Sequence, residues 1–258
     1  MLKPKGLLFD VTLCIGCGAC YDGCKQKNNL PKTNQNFLSD HLSANTFTVV
    51  EQYGNNYARK LCMHCDEPSC VSVCPVGAFS KSKTGAVLYD GNKCIGCRYC
   101  MQACPHKVPR YEWGKTQPRV RKCNMCDDRI KDGKITACAE ACPTEATLYG
   151  DMDKLIEIAK KRIKENKRNY YPHIYGLHEA GGSHVLILLP VPFEQLGYTP
   201  NLPKEPMPML TMRAMEKIPP VVGVGGIFLG GMYWLTKRKN QIAKEENESI
   251  KDLEKHEN

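Results

Sequence analysis

Aromatic residues are scarce, at 8% of 258 positions. A large apolar core is therefore not expected around the cysteine-rich part, and something else must staple it. No C-x-x-C pair is followed directly by histidine, which excludes c-type haem attachment. There is no Walker motif, and Gly223, Gly225 and Gly226 sit in an apolar run instead of a phosphate loop. No Ser/His/Asp set or carboxylate pair offers substrate chemistry, so the chain reads as non-catalytic. No stripe of Lys and Arg interleaves with aromatics, which argues against nucleic acid as a partner. The start, MLKPKG, has no signal-peptide pattern, so the disulfides of a small secreted domain are not expected.

Cysteine is what the chain has in excess. Its 16 cysteines form four groups of four, with none left over. The third group, CIGCRYCMQACP, has Cys94, Cys97 and Cys100 three apart, then Cys104 and Pro105. This C-x2-C-x2-C-x3-C-P run is that of bacterial ferredoxins. Its close triplet places three thiolates around one cubane, and the fourth usually serves a neighbouring one. Cys14, Cys17, Cys20 and Cys24 repeat the spacing. Cys62, Cys65, Cys70 and Cys74 have a longer second gap, and Cys123, Cys126, Cys138 and Cys142 an eleven-residue middle gap. Pro75, Pro105 and Pro143 follow the last cysteine of three groups, and Lys25 that of the first. Four such groups give four [4Fe–4S] clusters, with the sixteen cysteines as iron ligands. A zinc-binding scaffold is the alternative of another class, but zinc sites rarely carry the x3-Cys-Pro tail.

The formal net charge of +9 has a dull explanation on this reading. An oxidised cubane with four thiolates carries about −2, so four bring roughly −8. Lys25, Arg98, Lys107, Arg121 and Lys122 stand near cluster cysteines, where positive charge would raise a reduction potential. His64 and His106 neighbour cysteines too, and read as ordinary satisfied loop histidines.

Short strands are expected at Gly6 to Val11, Thr46 to Tyr53, Ala58 to Leu61 and Ala86 to Tyr89. Paired strands around cysteine loops fit a ferredoxin plan, and four groups make two such units. After Gly150, Asp151 can cap a helix whose apolar face holds Met152, Leu155, Ile156, Ala159 and Ile163. Lys160, Lys161, Lys164, Lys167 and Arg168 form its solvated face. Ser183 to Leu189 is a buried-strand candidate. Pro190 to Pro208 holds six prolines and reads as an extended segment on a surface or partner.

Ile218 to Leu235 is 18 residues without a charge, inside the range of a membrane span. Pro219 and Pro220 suit its start. Tyr233, Trp234 and the basic Lys237, Arg238 and Lys239 suit its far interface. Gly226 and Gly230 would let another helix pack closely. The polar tail from Asn240 to Asn258 is either helix or disordered. The fold class is thus α+β: two ferredoxin-like units in one cysteine-rich domain (1–150), an extension (151–217), a transmembrane helix (218–235) and a polar tail (236–258).

In cysteine order the chain resembles the four-cluster iron–sulfur subunits of molybdopterin oxidoreductases and of membrane-bound uptake hydrogenases. It is most similar to the respiratory hydrogenase-2 type. GLLFDVTLCIGCGACYDGCKQKNNLP, LCMHCDEPSCVSVCPVGA, KCIGCRYCMQACPHKVPRYEW, YGLHEAGGSHVLIL and VPFEQLG carry the resemblance. The respiratory formate dehydrogenase beta subunit is similar in layout. The resemblance implies an electron conduit between a catalytic subunit, such as a NiFe hydrogenase, and an integral membrane quinone-reactive or cytochrome subunit. It also implies interleaved ligands. Cys14, Cys17 and Cys20 would share a cluster with Cys142, and Cys123, Cys126 and Cys138 with Cys24. Cys62, Cys65 and Cys70 would share one with Cys104, and Cys94, Cys97 and Cys100 with Cys74. Relatives often carry a twin-arginine export signal, whereas this chain starts MLKPKG. A periplasmic cluster domain with a cytoplasmic tail is expected if a partner's signal exports it; otherwise the clusters face the cytoplasm.

Overall fold

The computed structural model describes residues 3–32 and 36–256. The chain forms two compact units, Met1–Pro208 and Met209–Asn258. The strands are β1 (Lys5–Asp10), β2 (Val49–Tyr53), β3 (Asn56–Lys60), β4 (Phe79–Lys81), β5 (Val87–Tyr89), β6 (Arg110–Tyr111), β7 (Val120–Arg121), β8 (Thr147–Asp151), β9 (Ile174–Tyr175) and β10 (Val185–Leu188). The helices are α1 (Ala19–Lys27), α2 (Ser69–Ser72), α3 (Tyr99–Gln102), α4 (Asp127–Lys131), α5 (Ala137–Glu140), α6 (Met152–Glu165), α7 (Met207–Met215) and α8 (Ile218–His256).

The apolar core of the first unit is built on one sheet, in the order β8-β1-β10-β9. β1 runs parallel to β10 and antiparallel to β8. Side chains alternate faces along a strand. Leu7, Phe9, Val185 and Ile187 therefore enter one core, while Leu8, Leu186 and Leu188 enter the other. Both faces are covered, which is why Ser183 to Leu189 is a continuous buried run. Each fully buried Leu or Ile side chain contributes about 1.5–3 kcal/mol relative to exposure.

Helix α6 covers the second face with Leu155 and Ala159, flanked by Met152, Ile156 and Ile163. Its lysines are exposed, as expected. Asp151 occupies the N-cap position but does not cap. Its carboxylate accepts from Lys5 Nζ at 2.5 Å instead, because the β1–β8 register places the two residues opposite each other. At the end of β1 the buried Asp10 accepts from Thr12 N, Tyr170 Oη and Arg162 Nη1. These bonds tie α6 to the strand that feeds the first cysteine group. Removing Arg162 would destabilise the fold, since the fully buried Asp10 carboxylate would lose its charged partner.

Three two-stranded ribbons carry the remaining loops: β2 with β3, β4 with β5, and β6 with β7. β4 leaves the second cysteine group and β5 leads to the third. β1 precedes the first group, and its partner β8 follows the fourth. Helix α1 also packs on α5, and α2 on α3. Strand pairing and helix packing together set the first group against the fourth and the second against the third. A small apolar cluster (Phe79, Val87 and Val120, with Cys70 and Cys100) supports the second and third groups, and Leu61, Met63 and Cys65 of the second also reach the main core.

The proline-rich stretch lies on the chain's own core. Leu196 and Tyr198 are buried there, Tyr198 Oη donates to Arg59 O at 3.0 Å, and Pro203 O accepts from Ala180 N at 2.7 Å.

In the second unit, Pro219 and Pro220 fall in the first turn of α8, where their missing N–H groups cost nothing. The helix does not stop at Leu235 but continues to His256. The polar tail is therefore helical as far as it is described; Glu257 and Asn258 lie outside the described residues. The stretch Met207–Glu245 is long and apolar enough to cross a membrane, and its apolar window is wholly exposed.

Candidate metal centre

The cysteine loops share a backbone device. The residue just before the second cysteine of each group is left-handed: Gly16 (φ 67°), His64 (φ 51°), Gly96 (φ 73°) and Met125 (φ 56°). This turns the chain so that the loop N–H groups point back at the first sulfur. Gly96 N lies 3.4 Å from Cys94 Sγ, and Met125 N lies 3.3 Å from Cys123 Sγ. Glycine adopts this conformation without strain, whereas His64 and Met125 are strained in it.

The Cys-Pro turns use a second device. Two residues after the proline the chain is left-handed again, at Gly77 (φ 60°), Lys107 (φ 52°) and Glu145 (φ 53°). Ala78 N donates to Cys74 Sγ at 3.2 Å. Burial raises Cys74 and Cys142, but a fan of backbone N–H groups outweighs it and both thiols lie below their ordinary value. Such bonds favour anionic sulfur, the form that binds metal.

The sulfurs act on one another across groups. Cys14 lies close enough to Cys142 and Cys17, and Cys20 to Cys138, Cys14 and Cys142, for thiolates there to raise them. Cys123 is raised likewise by Cys24, Cys62, Cys126 and Cys138. Cys65 is raised by Cys62, Cys104 and Cys70, and Cys100 by Cys94, Cys97 and Cys74. In all five cases burial acts first; it pushes Cys20 and Cys100 up to about 11. Strand pairing and helix packing thus bring cysteines of the first group near those of the fourth, and cysteines of the second near those of the third.

All sixteen are free thiols. Among the described residues, no three His, Cys, Asp or Glu side chains converge closely enough to hold a single ion. A cubane asks for something else, because each thiolate binds a different iron at its own corner. Two buried nitrogens fit the same picture. His64 is fully buried, and its Nδ1 accepts from Val87 N at 2.9 Å. Burial, then Lys122, holds the ring well below its usual pKa, so the neutral ring carries its proton on Nε2. That Nε2 has no partner in the protein, and neither has Nε2 of His106. The two histidines are therefore not ordinary satisfied loop residues. Their tight turns beside cysteines bury one nitrogen of each ring against the metal-binding loops.

Of the five cations singled out in the sequence, Lys122 is buried and donates to Val87 O and Cys123 O. Burial pushes Cys70 up to about 12, and Lys122 pulls the other way. Lys25 turns to Pro31 O and Asn45 O, Arg121 pairs with Glu112, and Arg98 stacks on Trp113. Sequence reasoning missed Arg59. It is 2% exposed, and both Cys20 and Cys138 act on it. Nothing in the local pattern of β3 marks it, because its partners come from distant strands.

Residues 13–78 and 54–152 each match a family described as a 4Fe-4S dicluster domain. A protein of Nitratidesulfovibrio vulgaris is 40% identical over 95% of this chain and 70% of its own length. The hydrogenase-2 operon protein HybA of Escherichia coli O157:H7 is 37% identical over 77% of this chain and 73% of its own. The iron–sulfur subunit of the nitrate-inducible formate dehydrogenase of Escherichia coli K12 is 34% identical over 70% and 67%. Two dicluster domains account for four [4Fe–4S] clusters. The chain belongs to the family of four-cluster iron–sulfur electron-transfer subunits that includes HybA and the formate dehydrogenase iron–sulfur subunits.

Proposed function

We propose that this chain connects a catalytic hydrogenase subunit, most plainly a NiFe enzyme, to an integral membrane subunit that serves quinone. The greater identity with HybA, 37% against 33–35% for the formate dehydrogenase subunits, supports that partner. A molybdopterin enzyme such as formate dehydrogenase is the alternative electron source with the same internal path.

The observation that carries the reading is the line of the four thiol sets. The interleaved sets (Cys14, Cys17, Cys20, Cys142; Cys24, Cys123, Cys126, Cys138; Cys62, Cys65, Cys70, Cys104; Cys74, Cys94, Cys97, Cys100) are proposed as the ligands. Cys20 neighbours Cys138, Cys123 neighbours Cys62, and Cys70 neighbours Cys100. Each contact joins one set to the next, in that order. Cys17 and Cys97, at opposite ends of this order, are the two exposed cysteines. Beside them Ile15 is 60% and Ile95 66% exposed, apolar groups suited to being covered by partners. When bound, each cubane supplies a one-electron carrier. The protein's part is to hold the sulfurs, exclude water from the middle sets and leave each end open to a partner.

The C-terminal helix then anchors the chain to the membrane, with the cluster unit periplasmic and the tail cytoplasmic. Purifying the intact complex from membranes and identifying its largest subunit tests the reading. A hydrogenase large subunit is expected; a molybdopterin subunit selects the alternative, and no redox subunit at all overturns both.

A further inference from the structure

Arg59 is a permanent cation in the interior, since a guanidinium keeps its proton in proteins. It is held from both sides. Nε donates to Thr48 Oγ1 at 2.9 Å and Nη1 to Thr147 Oγ1 at 3.1 Å. Both threonines are themselves buried, one just before β2 and the other opening β8. Arg59 lines one small cavity together with Cys24, Cys123, Cys126 and Cys138. Hydroxyls orient a cation but do not balance its charge. The groups that can balance it are sulfurs: burial opposes the charged form, and Cys138 and Cys20 favour it most.

These two sulfurs stand in different sets. Cys20 goes with Cys14, Cys17 and Cys142, and Cys138 with Cys24, Cys123 and Cys126. Ala58, next to Arg59 in β3, lies in the buried cluster that holds both Cys20 and Cys138, with Cys14 and Cys142 packed against it. Among the shifted cysteines of the other two sets, Lys122 is the cation that acts on Cys70 and Cys104.

We infer that Arg59 is the shared counter-cation of the first two thiol sets. It raises the reduction potentials of the two clusters these sets hold and leaves the other two unchanged. The physical ground is simple. Reduction adds a negative charge, and a fixed buried cation stabilises the reduced form most where solvent does not screen it. The inference rests on the proposed ligand sets.

The test is an EPR-monitored redox titration of the full chain, purified anaerobically with its clusters. The four signals are first assigned with Cys142→Ala, Cys24→Ala, Cys104→Ala and Cys74→Ala, which test the sets without touching Arg59. Arg59→Gln keeps hydrogen bonding but removes the charge, and Arg59→Lys keeps the charge. The expected result is that Arg59→Gln lowers two midpoint potentials, those assigned by Cys142 and Cys24, and that Arg59→Lys restores most of the shift. A purely structural role would lower stability or iron content in both variants without moving potentials in this charge-dependent way. Unchanged potentials in Arg59→Gln overturn the inference, and so does an equal shift of all four. If Arg59→Gln fails to assemble, Arg59→Met removes the same charge with an apolar side chain suited to the buried position. The same two potentials must then move; four unchanged values overturn the inference.

Discussion

Cys62 stands near enough to Cys123, across the boundary between the two ferredoxin-like halves, for a thiolate there to act on it. Burial already pushes the Cys123 thiol well up, and a thiolate at Cys62 pushes it further. Cys62 lies in the set that joins the second and third groups, and Cys123 in the set that joins the first and fourth. Their proximity links the two proposed dicluster modules. Lys122, next in sequence to Cys123, bonds Val87 O, while Val87 N donates to His64 two residues beyond Cys62. The junction between halves is thus rigid at the backbone level as well as at the sulfurs.

The metal itself is expected to be part of the fold. Iron analysis of anaerobically purified chain should approach roughly sixteen per chain, four for each cubane. Removing iron with a chelator under oxidation should melt the cysteine loops, because metal-binding energy is also folding energy. Circular dichroism before and after chelation measures this. About half that iron in intact protein would contradict four clusters.

Interleaving makes a sharper demand. Cys24→Ala should perturb the same reduced-state EPR signal as Cys123→Ala, and Cys14→Ala the same signal as Cys142→Ala. The residues nearest in sequence give the opposite expectation, with Cys24 matching Cys14. Observing that match would break the proposed sets.

How much of this was legible in sequence follows from the range of each constraint. A cubane fixes the spacing of neighbouring thiolates, so the four groups and the cluster type could be read directly. The strands β1, β3, β5 and β10 announced themselves through short apolar runs between turn residues. The set membership could not be read from spacing, since it depends on β1 pairing with β8 and on α2 packing against α3. Arg59 was hidden for the same reason: Thr147 is 88 positions away in the chain. Asp151 shows the limit in miniature, because a capping residue by sequence was claimed by Lys5 across a strand pair.

His64 should matter more than a loop histidine. His64→Leu removes the acceptor of Val87 N–H and leaves that donor buried without a partner, at about 1–3 kcal/mol. It also keeps a strained left-handed residue in place. Visible absorbance followed on heating should show cluster loss at a lower temperature than in the parent. His64→Gly should recover part of the loss by relieving the backbone, though not the hydrogen bond. No change in either variant would mean that water replaces the ring nitrogen.

Topology follows from charge. Lys237, Arg238, Lys239 and Lys244 follow the apolar stretch, against Lys204, Arg213 and Lys217 before it. The small excess predicts a tail on the cytoplasmic side. A thiol-reactive, membrane-impermeant label should miss an engineered cysteine at Asn258 in intact cells and reach it in inverted vesicles. Labelling from the outer face alone would reverse the orientation.

The last prediction concerns the helix as a dock. A single helix does not enclose a quinone, but it can fix the cluster unit to a membrane partner. Lipid offers little hydrophobic drive between helices, so close backbone approach matters. Gly226 and Gly230 provide it, four residues apart on one face of α8, and a Cβ at either would meet open space within this chain. Replacing both with Leu keeps the segment apolar and able to insert, and touches no cysteine. The double variant should therefore insert, keep its iron and its colour, and lose its membrane partner. Blue-native gels should show a smaller complex, and membranes should pass electrons to quinone poorly. An unchanged complex with unchanged quinone reduction would mean that these glycines face lipid and that docking rests on the cluster unit.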